Sequence, residues 1–277
     1  MSFPHRAVLG AFALSIASCT TKDQPSAPPV FGGQGAVVAA PKEMPLPPAE
    51  PTSETTGPCS DVAASDVSLL DDFEDGDNKL FKGFQREGWW FVATDSTEGS
   101  KVRPPAGKFA PERLPKDKAS KDNLFAGHFS AEGQKEWGVV WGTTLRWVSQ
   151  GVRCPLNASS FGGIRFRAKG PGSITVKFGI PATTPAEGDG ACKQKCYDFH
   201  AKLVILSDRW DAYEVHFDRV QQGGWGTDAR FDPSRLMSLN FAAGPKDLPV
   251  DLWVDDIEFL PLPKSGASAP SDHAKEK

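Results

Sequence analysis

The sequence predicts an all-β domain built as two antiparallel sheets packed face to face, a β-sandwich carried between two low-complexity ends. Composition is the first reason: eight Trp and eighteen Phe stand against three Met, with 27 Gly and 24 Pro, which suits short strands joined by turns. Alternation is the second. In Ile164-Arg165-Phe166-Arg167-Ala168 apolar residues alternate with arginine, so one face enters a core and the other meets solvent, and Tyr213-Glu214-Val215-His216-Phe217 repeats the pattern. Third, no long amphipathic helix and no repeat of fixed period interrupts these segments.

Residues 1–18 read as an export signal: His5 and Arg6 supply a polar start, and the apolar run from Ala7 to Ala17 is too short to span a bilayer. The run ends in Ile16-Ala17-Ser18-Cys19, which resembles the lipobox of bacterial lipoproteins. That resemblance implies cleavage before Cys19, acylation of its thiol and anchoring to a membrane through lipid alone. Thr20 after the cysteine implies delivery to the outer membrane or cell surface of a Gram-negative cell. An ordinary signal peptide with Cys19 incidental is the alternative. Residues 19–65, as in Pro45-Leu46-Pro47-Pro48-Ala49-Glu50-Pro51, lack the apolar periodicity of a core and are expected to be a disordered tether. A second such stretch, 262–277, is expected to be a disordered tail. The folded domain is placed at 66–261.

Within it, segments rich in β-formers and bounded by Gly, Pro, Asn or Asp predict strands at Val67–Phe73, Trp89–Thr94, Leu124–Ser130, Trp137–Leu145 and Phe161–Ala168. Ile174–Ile180, Ala201–Leu206, Ala212–Phe217, Leu236–Ala242 and Val250–Leu260 complete the set, and Asp232-Pro233-Ser234-Arg235 predicts one helical turn.

After Cys19 an even set remains, Cys59, Cys154, Cys192 and Cys196, which fits two disulfides in an oxidising compartment. Four cysteines allow three pairings. The short Cys192-Lys-Gln-Lys-Cys196 spacing favours a small closed loop, leaving Cys59 to clamp the end of the tether to Cys154; a zinc site using His200 is the alternative. A net charge of −4 and an isoelectric point near 5.8 give no broad positive field for nucleic acid.

Leu70-Asp71-Asp72-Phe73-Glu74-Asp75-Gly76, Gly162-Gly163-Ile164-Arg165-Phe166-Arg167-Ala168-Lys169-Gly170, Trp210-Asp211-Ala212-Tyr213 and Val254-Asp255-Asp256-Ile257-Glu258-Phe259 follow one another in an order that resembles carbohydrate-binding modules of the galactose-binding-like jelly-roll group. Within it the chain is similar to family 11 β-glucan-binding modules and their CIA30-like relatives. The stretch from Thr97 to Asp122 and the Cys192–Cys196 loop have no counterpart in that pattern. The resemblance implies a jelly roll with a structural calcium where the first and last strands lie side by side. Calcium takes six to eight oxygens, which clustered carboxylates and backbone carbonyls supply. Pleat parity, with Phe73 inward and Asp72 and Glu74 on the other side, selects Glu74 and Asp256, with Asp72 and Asp77 behind them.

Sugars offer an apolar C–H face and a rim of hydroxyls, so receptors use exposed aromatic rings with polar side chains beside them. Trp225, in Gly223-Gly224-Trp225-Gly226, has few neighbours to bury it and is the first stacking candidate. Trp90 and Trp141 follow, with Arg165, Arg167, His216 and Asp218 as hydroxyl partners on outward positions; Trp137, Trp210 and Trp253 are assigned to the core. The histidines are scattered, and neither a nucleophile elbow nor a phosphate-binding glycine loop is present. The expectation is a monomeric, non-catalytic surface module that binds polysaccharide, such as a β-glucan or another cell-wall glycan. A CIA30-like structural or protein-interaction module without sugar binding is the alternative, and a glycan-degrading enzyme comes third.

Overall fold

A computed structural model describes Cys59 and residues 67–80, 87–105, 107–116, 120–148 and 151–262. The signal segment, Cys19, the tether apart from Cys59 and the tail from 263 onward lie outside the described residues. Fourteen strands follow in chain order: β1 (Leu69–Asp71), β2 (Trp90–Thr94), β3 (Lys101–Arg103), β4 (Glu112–Arg113), β5 (Phe125–Glu132), β6 (Val139–Thr144) and β7 (Trp147–Val148), then β8 (Val152–Arg153), β9 (Phe161–Lys169), β10 (Ser173–Gly179), β11 (His200–Ile205), β12 (Asp211–His216), β13 (Ser238–Ala243) and β14 (Val250–Pro261). Among the described residues helical structure is limited to short 3₁₀ turns. The turn expected at Asp232 is one of them, with the Asp232 carboxylate accepting the Ser234 N–H at 2.9 Å.

The strands form a two-sheet antiparallel jelly-roll sandwich. The larger sheet runs β12-β9-β14-β5-β3, with β1 paired to β14 and β4 to β5; the smaller runs β11-β10-β13-β6-β2; β7 and β8 make a separate hairpin. Alternation drives the packing. On β9 Ile164, Phe166 and Ala168 are buried while Arg165 and Arg167 are exposed, and on β10 Ile174, Val176 and Phe178 are buried. The facing sides meet in one core that includes Trp90, Phe129, Trp141, Phe166, Phe178, Phe241 and Phe259. Its rings interlock: Phe129 and Trp141 lie 5.0 Å apart, and Phe166 meets Phe241 edge-on at 5.2 Å.

Each strand segment predicted from the sequence is present. The pairs missed, β3, β4, β7 and β8, are two or three residues long. β3 and β4 come from the stretch between Thr97 and Asp122 and extend the larger sheet along β5. The cysteines pair as preferred, Cys59–Cys154 and Cys192–Cys196, so none is left to ligate zinc among the described residues. Three tryptophans assigned to the core lie elsewhere. Trp137 is 50 % exposed in the turn before β6, ahead of Gly138 with φ +93°, where strand parity does not operate. Trp210 and Trp253 are half-buried on the outward side of the larger sheet, under the cationic head of Lys169.

Candidate functional site

The two outward faces of the sandwich differ in charge. On the larger sheet polar side chains meet across strands, Arg165 with Glu258, Arg167 with Asp256, and His128 with both Glu112 and Asp251, while His216 meets Glu214 along β12. The smaller sheet reads quite differently. Its register aligns Phe91, Gly142, Asn240, Lys177 and Ala201 in one row across five strands, and Ala93, Val140, Ala242, Thr175 and Leu203 in the next. Strands lie about 4.8 Å apart, so each row spans roughly 20 Å. Among the described outward positions of the five strands Lys177 is the one charged side chain; the Asp247 carboxylate meets Ser173 Oγ at the start of β10.

The rows are closely built. The Phe91 ring lies over Gly142: a Cβ there would stand 2.6 Å from Phe91 Cζ and 2.2 Å from Asn240 Oδ1, so only glycine lets ring and amide meet. Asn240 Nδ2 donates to Ser238 Oγ at 3.0 Å. Burial pulls the Lys177 amine below its usual pKa, partly offset by the charge of Asp198. At the β2 end Trp89 is 42 % exposed and stacks on Trp147 at 4.3 Å, with the Arg153 guanidinium over the Trp147 ring at 5.1 Å.

Trp225 stands at the β11 edge. The segment before its loop bridges to β11 through Gln221 and Ala201, whose backbones exchange hydrogen bonds. The loop itself is built on one buried carboxylate. Asp198 Oδ1 accepts the Gly223 N–H at 2.8 Å, and Oδ2 accepts those of Gly224, Trp225 and Gly226 at 2.9, 3.1 and 2.9 Å. Gly226 is required by this contact, because a Cβ there would lie 2.3 Å from Asp198 Cβ. The disulfide loop braces the other side: Thr227 donates through its hydroxyl to Gln194 O and through its N–H to Lys195 O. Trp225 is 57 % exposed on this fixed base. An exposed indole on an ordered loop is a preorganised contact for a ligand. Sequence reasoning placed Trp225 exposed on a loop, as it is, and missed Asp198, whose partners lie more than twenty residues away.

The other predicted contact residues divide. Trp90 and Trp141 are buried in the core, which corrects their assignment to a binding surface. Adjacent residues on a strand face opposite ways, and of the Trp89-Trp90 pair it is Trp89 that faces out; Trp90 Nε1 donates to Asp71 Oδ2 at 2.6 Å. Trp141 packs on the inward side of β6, beside Gly142 on the outward side. Arg165, Arg167 and His216 do point outward, but from the larger sheet, where Arg165, Arg167, Glu258, Asp256, Leu69 and Ala212 line a shallow cleft of about 340 Å³. Asp218 is exposed in the 3₁₀ turn after β12. The predicted site is therefore split between two faces.

The acidic corner also differs from expectation. A bulge in β14, with Asp256 at φ +49°, sets Asp256 and Ile257 against Phe166 alone. Asp255, ahead of the bulge and opposite Arg167, is buried with Asn123 donating to it, and Asp256 turns out toward Arg167. Asp72 and Asp77 accept the N–H groups of Glu74 and Lys79. The quartet Asp72, Glu74, Asp77 and Asp256 does not converge, and among the described residues no three His, Cys, Asp or Glu side chains are gathered as a metal site. What the fold brings together is Glu74, which accepts the Leu124 and Phe125 N–H groups, and Asp255, which accepts from Asn123 Nδ2. Burial lifts the Asp255 carboxyl to about 7, with the charges of Asp256 and Glu74 adding to it. Burial likewise lifts Asp71 to about 8, against the Trp90 and Phe73 hydrogen bonds.

No family model matches the sequence. Endoglucanase 3 of Fibrobacter succinogenes is 29% identical over 201 residues, 69% of this chain and 27% of that protein; the chain thus spans about a quarter of the length of this curated relative. Among solved structures, the family 11 carbohydrate-binding module of the cellulosomal cellulase Lic26A-Cel5E of Clostridium thermocellum superposes with a TM-score of 0.44 at 17% identity, covering 72% of this chain and 96% of the module. A family 30 module from the cellulosomal cellulase Cel9D-Cel44B of the same organism gives 0.40 at 14% identity, over 67% of this chain and 97% of the module.

Proposed function

We propose that the protein binds polysaccharide, without cleaving it, on the outward face of its smaller sheet. The carrying observation is the contrast between the two faces. One is laced with ion pairs, and the other is a flat field of small, aromatic and amide side chains flanked by Trp89 and by Trp225 on its Asp198 base. Such a field loses little on shedding water and matches the apolar face of a pyranose ring. Cleavage of a glycosidic bond needs two opposed carboxyl groups, and the described outward positions of this face carry none. The relative named as an endoglucanase makes a glucan the first polymer to test.

Affinity electrophoresis through gels containing single soluble polysaccharides checks this. Retardation by at least one polymer, lost in Trp225→Ala, is expected, and migration unaffected by every polymer would refute it. We also propose export and lipid attachment at Cys19, in keeping with the two disulfides. The expected calcium moves, as a proposal, to Glu74 and Asp255. A cation between them would relieve the repulsion that helps raise Asp255, and backbone carbonyls would supply its remaining oxygens.

A further inference from the structure

Lys177 is unusual for this protein. On the larger sheet Arg165, Arg167 and Lys101 each meet a carboxylate. Lys177 sits at the middle of β10, half-buried, and forms no ion pair with a described residue. Its neighbours across the sheet are the Asn240 amide and the methyl of Ala201, and along the strand Thr175 and Gly179. Asp198 is the carboxylate whose charge it feels, and both oxygens of Asp198 are turned to the backbone of 223–226. An ammonium group withdrawn from water without a counter-charge is costly. On a solvated face it would be replaceable; in the centre of an otherwise uncharged one it is a recognition element.

We propose that Lys177 selects polysaccharides that carry a carboxylate on the sugar ring, that is, uronic-acid-containing glycans, by supplying the counter-charge their carboxylate needs. This rests on the reading of the smaller sheet as the polysaccharide-binding face. Phe91 and Lys177 stand three strands apart in one row, roughly 14 Å, so an extended glycan of several residues laid along the row could place one ring near Phe91 and the carboxylate of another at the ammonium. Asn240, two strands away from Phe91 and next to Lys177, is buried and donates to Ser238 Oγ, which fixes the floor between them. The nearby carboxylate, Asp198, is turned to the backbone of 223–226 and forms no ion pair with Lys177, so the ammonium is left to make a charge-assisted contact with a ligand.

The test compares polymers that differ only in the carboxylate. The full chain is titrated calorimetrically with cello-oligosaccharides and with the same oligosaccharides oxidised at C6 to glucuronate. A parallel gel panel contains polygalacturonate, alginate and neutral glucans, galactans and mannans. The acidic member of a pair is expected to bind about tenfold to a hundredfold tighter at low salt, and the advantage should shrink in 0.3 M NaCl. Lys177→Met should bind the two members alike, and Lys177→Arg should restore the preference. Equal or weaker binding of the acidic member, or a Lys177→Met variant that weakens both by the same factor, would overturn the inference while leaving polysaccharide binding intact. Binding to no polymer of either kind would overturn both.

Discussion

Asp198→Asn is the sharpest perturbation of the site. The side chain keeps its size, but the atom replacing Oδ2 becomes an amide nitrogen facing the N–H groups of Gly224, Trp225 and Gly226. Turning the amide over saves at most the acceptor positions of one oxygen and leaves the Gly223 N–H facing a donor. A hydrogen bond to a charged group contributes about 1.5–3 kcal/mol net, and bonds sharing one carboxylate are not additive. A loss of about 3–5 kcal/mol is therefore the expected scale for the loop, in line with breaking one side of a buried charged contact. Because the loop is at an edge, much of this should appear as local opening before global unfolding. The assay is amide hydrogen exchange by mass spectrometry on peptides covering 220–228. At 1.36 kcal/mol per decade, exchange there should accelerate by about two to four powers of ten, with peptides from β9 and β14 changing far less, and glycan affinity should fall as Trp225 loses its fixed position. If 223–226 exchange freely in the wild type, or if Asp198→Asn exchanges like it, the carboxylate does not hold the loop.

Gly142→Ala should cost about 1–3 kcal/mol by overpacking, read by urea denaturation, and should abolish glycan retardation because Phe91 and Asn240 must both move. Trp90→Phe and Trp225→Ala should behave oppositely. The first should lose about 2–4 kcal/mol of stability through a cavity and the Asp71 hydrogen bond while affinity stays within error; the second should keep its stability and lose about tenfold in affinity. His200, whose Nε2 meets Ala229 O at 2.9 Å and whose Nδ1 has no partner, is held below the usual histidine pKa chiefly by burial. The unfolded chain therefore takes up its proton first. The stability His200 contributes is full above about pH 6.5 and lost as pH falls from there through the lower folded value, so melting temperatures at pH 7.5 and 5.5 should differ less in His200→Leu than in the wild type. Calcium chloride at pH 7.5 should raise the melting temperature, and Asp255→Asn should remove the response; an unchanged wild-type melt would exclude the ion.

Strand positions were legible because burial on one side imposes a period of two, as Ile164 to Ala168 displays. That period says inward or outward and is silent on which sheet a strand joins. Arg165 and Arg167 are outward as expected, yet lie on the opposite sheet from Phe91 and Lys177. Phase is the weak point. Trp89 and Trp90 could each be the outward one until the pairing of Trp90 with Thr143 fixes the register. The bulge in β14 turns Asp256 toward Arg167, and the buried acid beside Glu74 is Asp255. The strands β3, β4, β7 and β8 are too short to carry a pattern. Asp198 left no local trace, since a carboxylate that gathers four distant backbone donors looks in sequence like any loop acid. The legible half of that contact was the run of glycines around Trp225.

The ion pairs of the larger sheet do not explain its stability. Exposed pairs such as Lys101–Glu132 are screened by solvent and add little beside a core holding Trp90, Phe166 and Phe241. Their effect is on the surface. Paired charges keep that face hydrated and unattractive to other apolar surfaces. If the same protection were needed on the smaller sheet, the half-buried outward positions of β6 and β13 could hold charged residues, since alternation separates the two sides. They hold Val140, Thr144 and Ser238 instead, beside Gly142, Asn240 and Ala242, which are closed over. Leu203 and Ile205 at the β11 edge are 49% and 68% exposed. A face that is uncharged at these positions yet retains one desolvated lysine is shaped by what it must contact. A ligand that is flat, extended along several residues, apolar on its face and polar at its rim meets all of those conditions together. A partner helix would need a groove, and an added strand would need a free sheet edge, whereas the β11 edge is already bridged by Gln221.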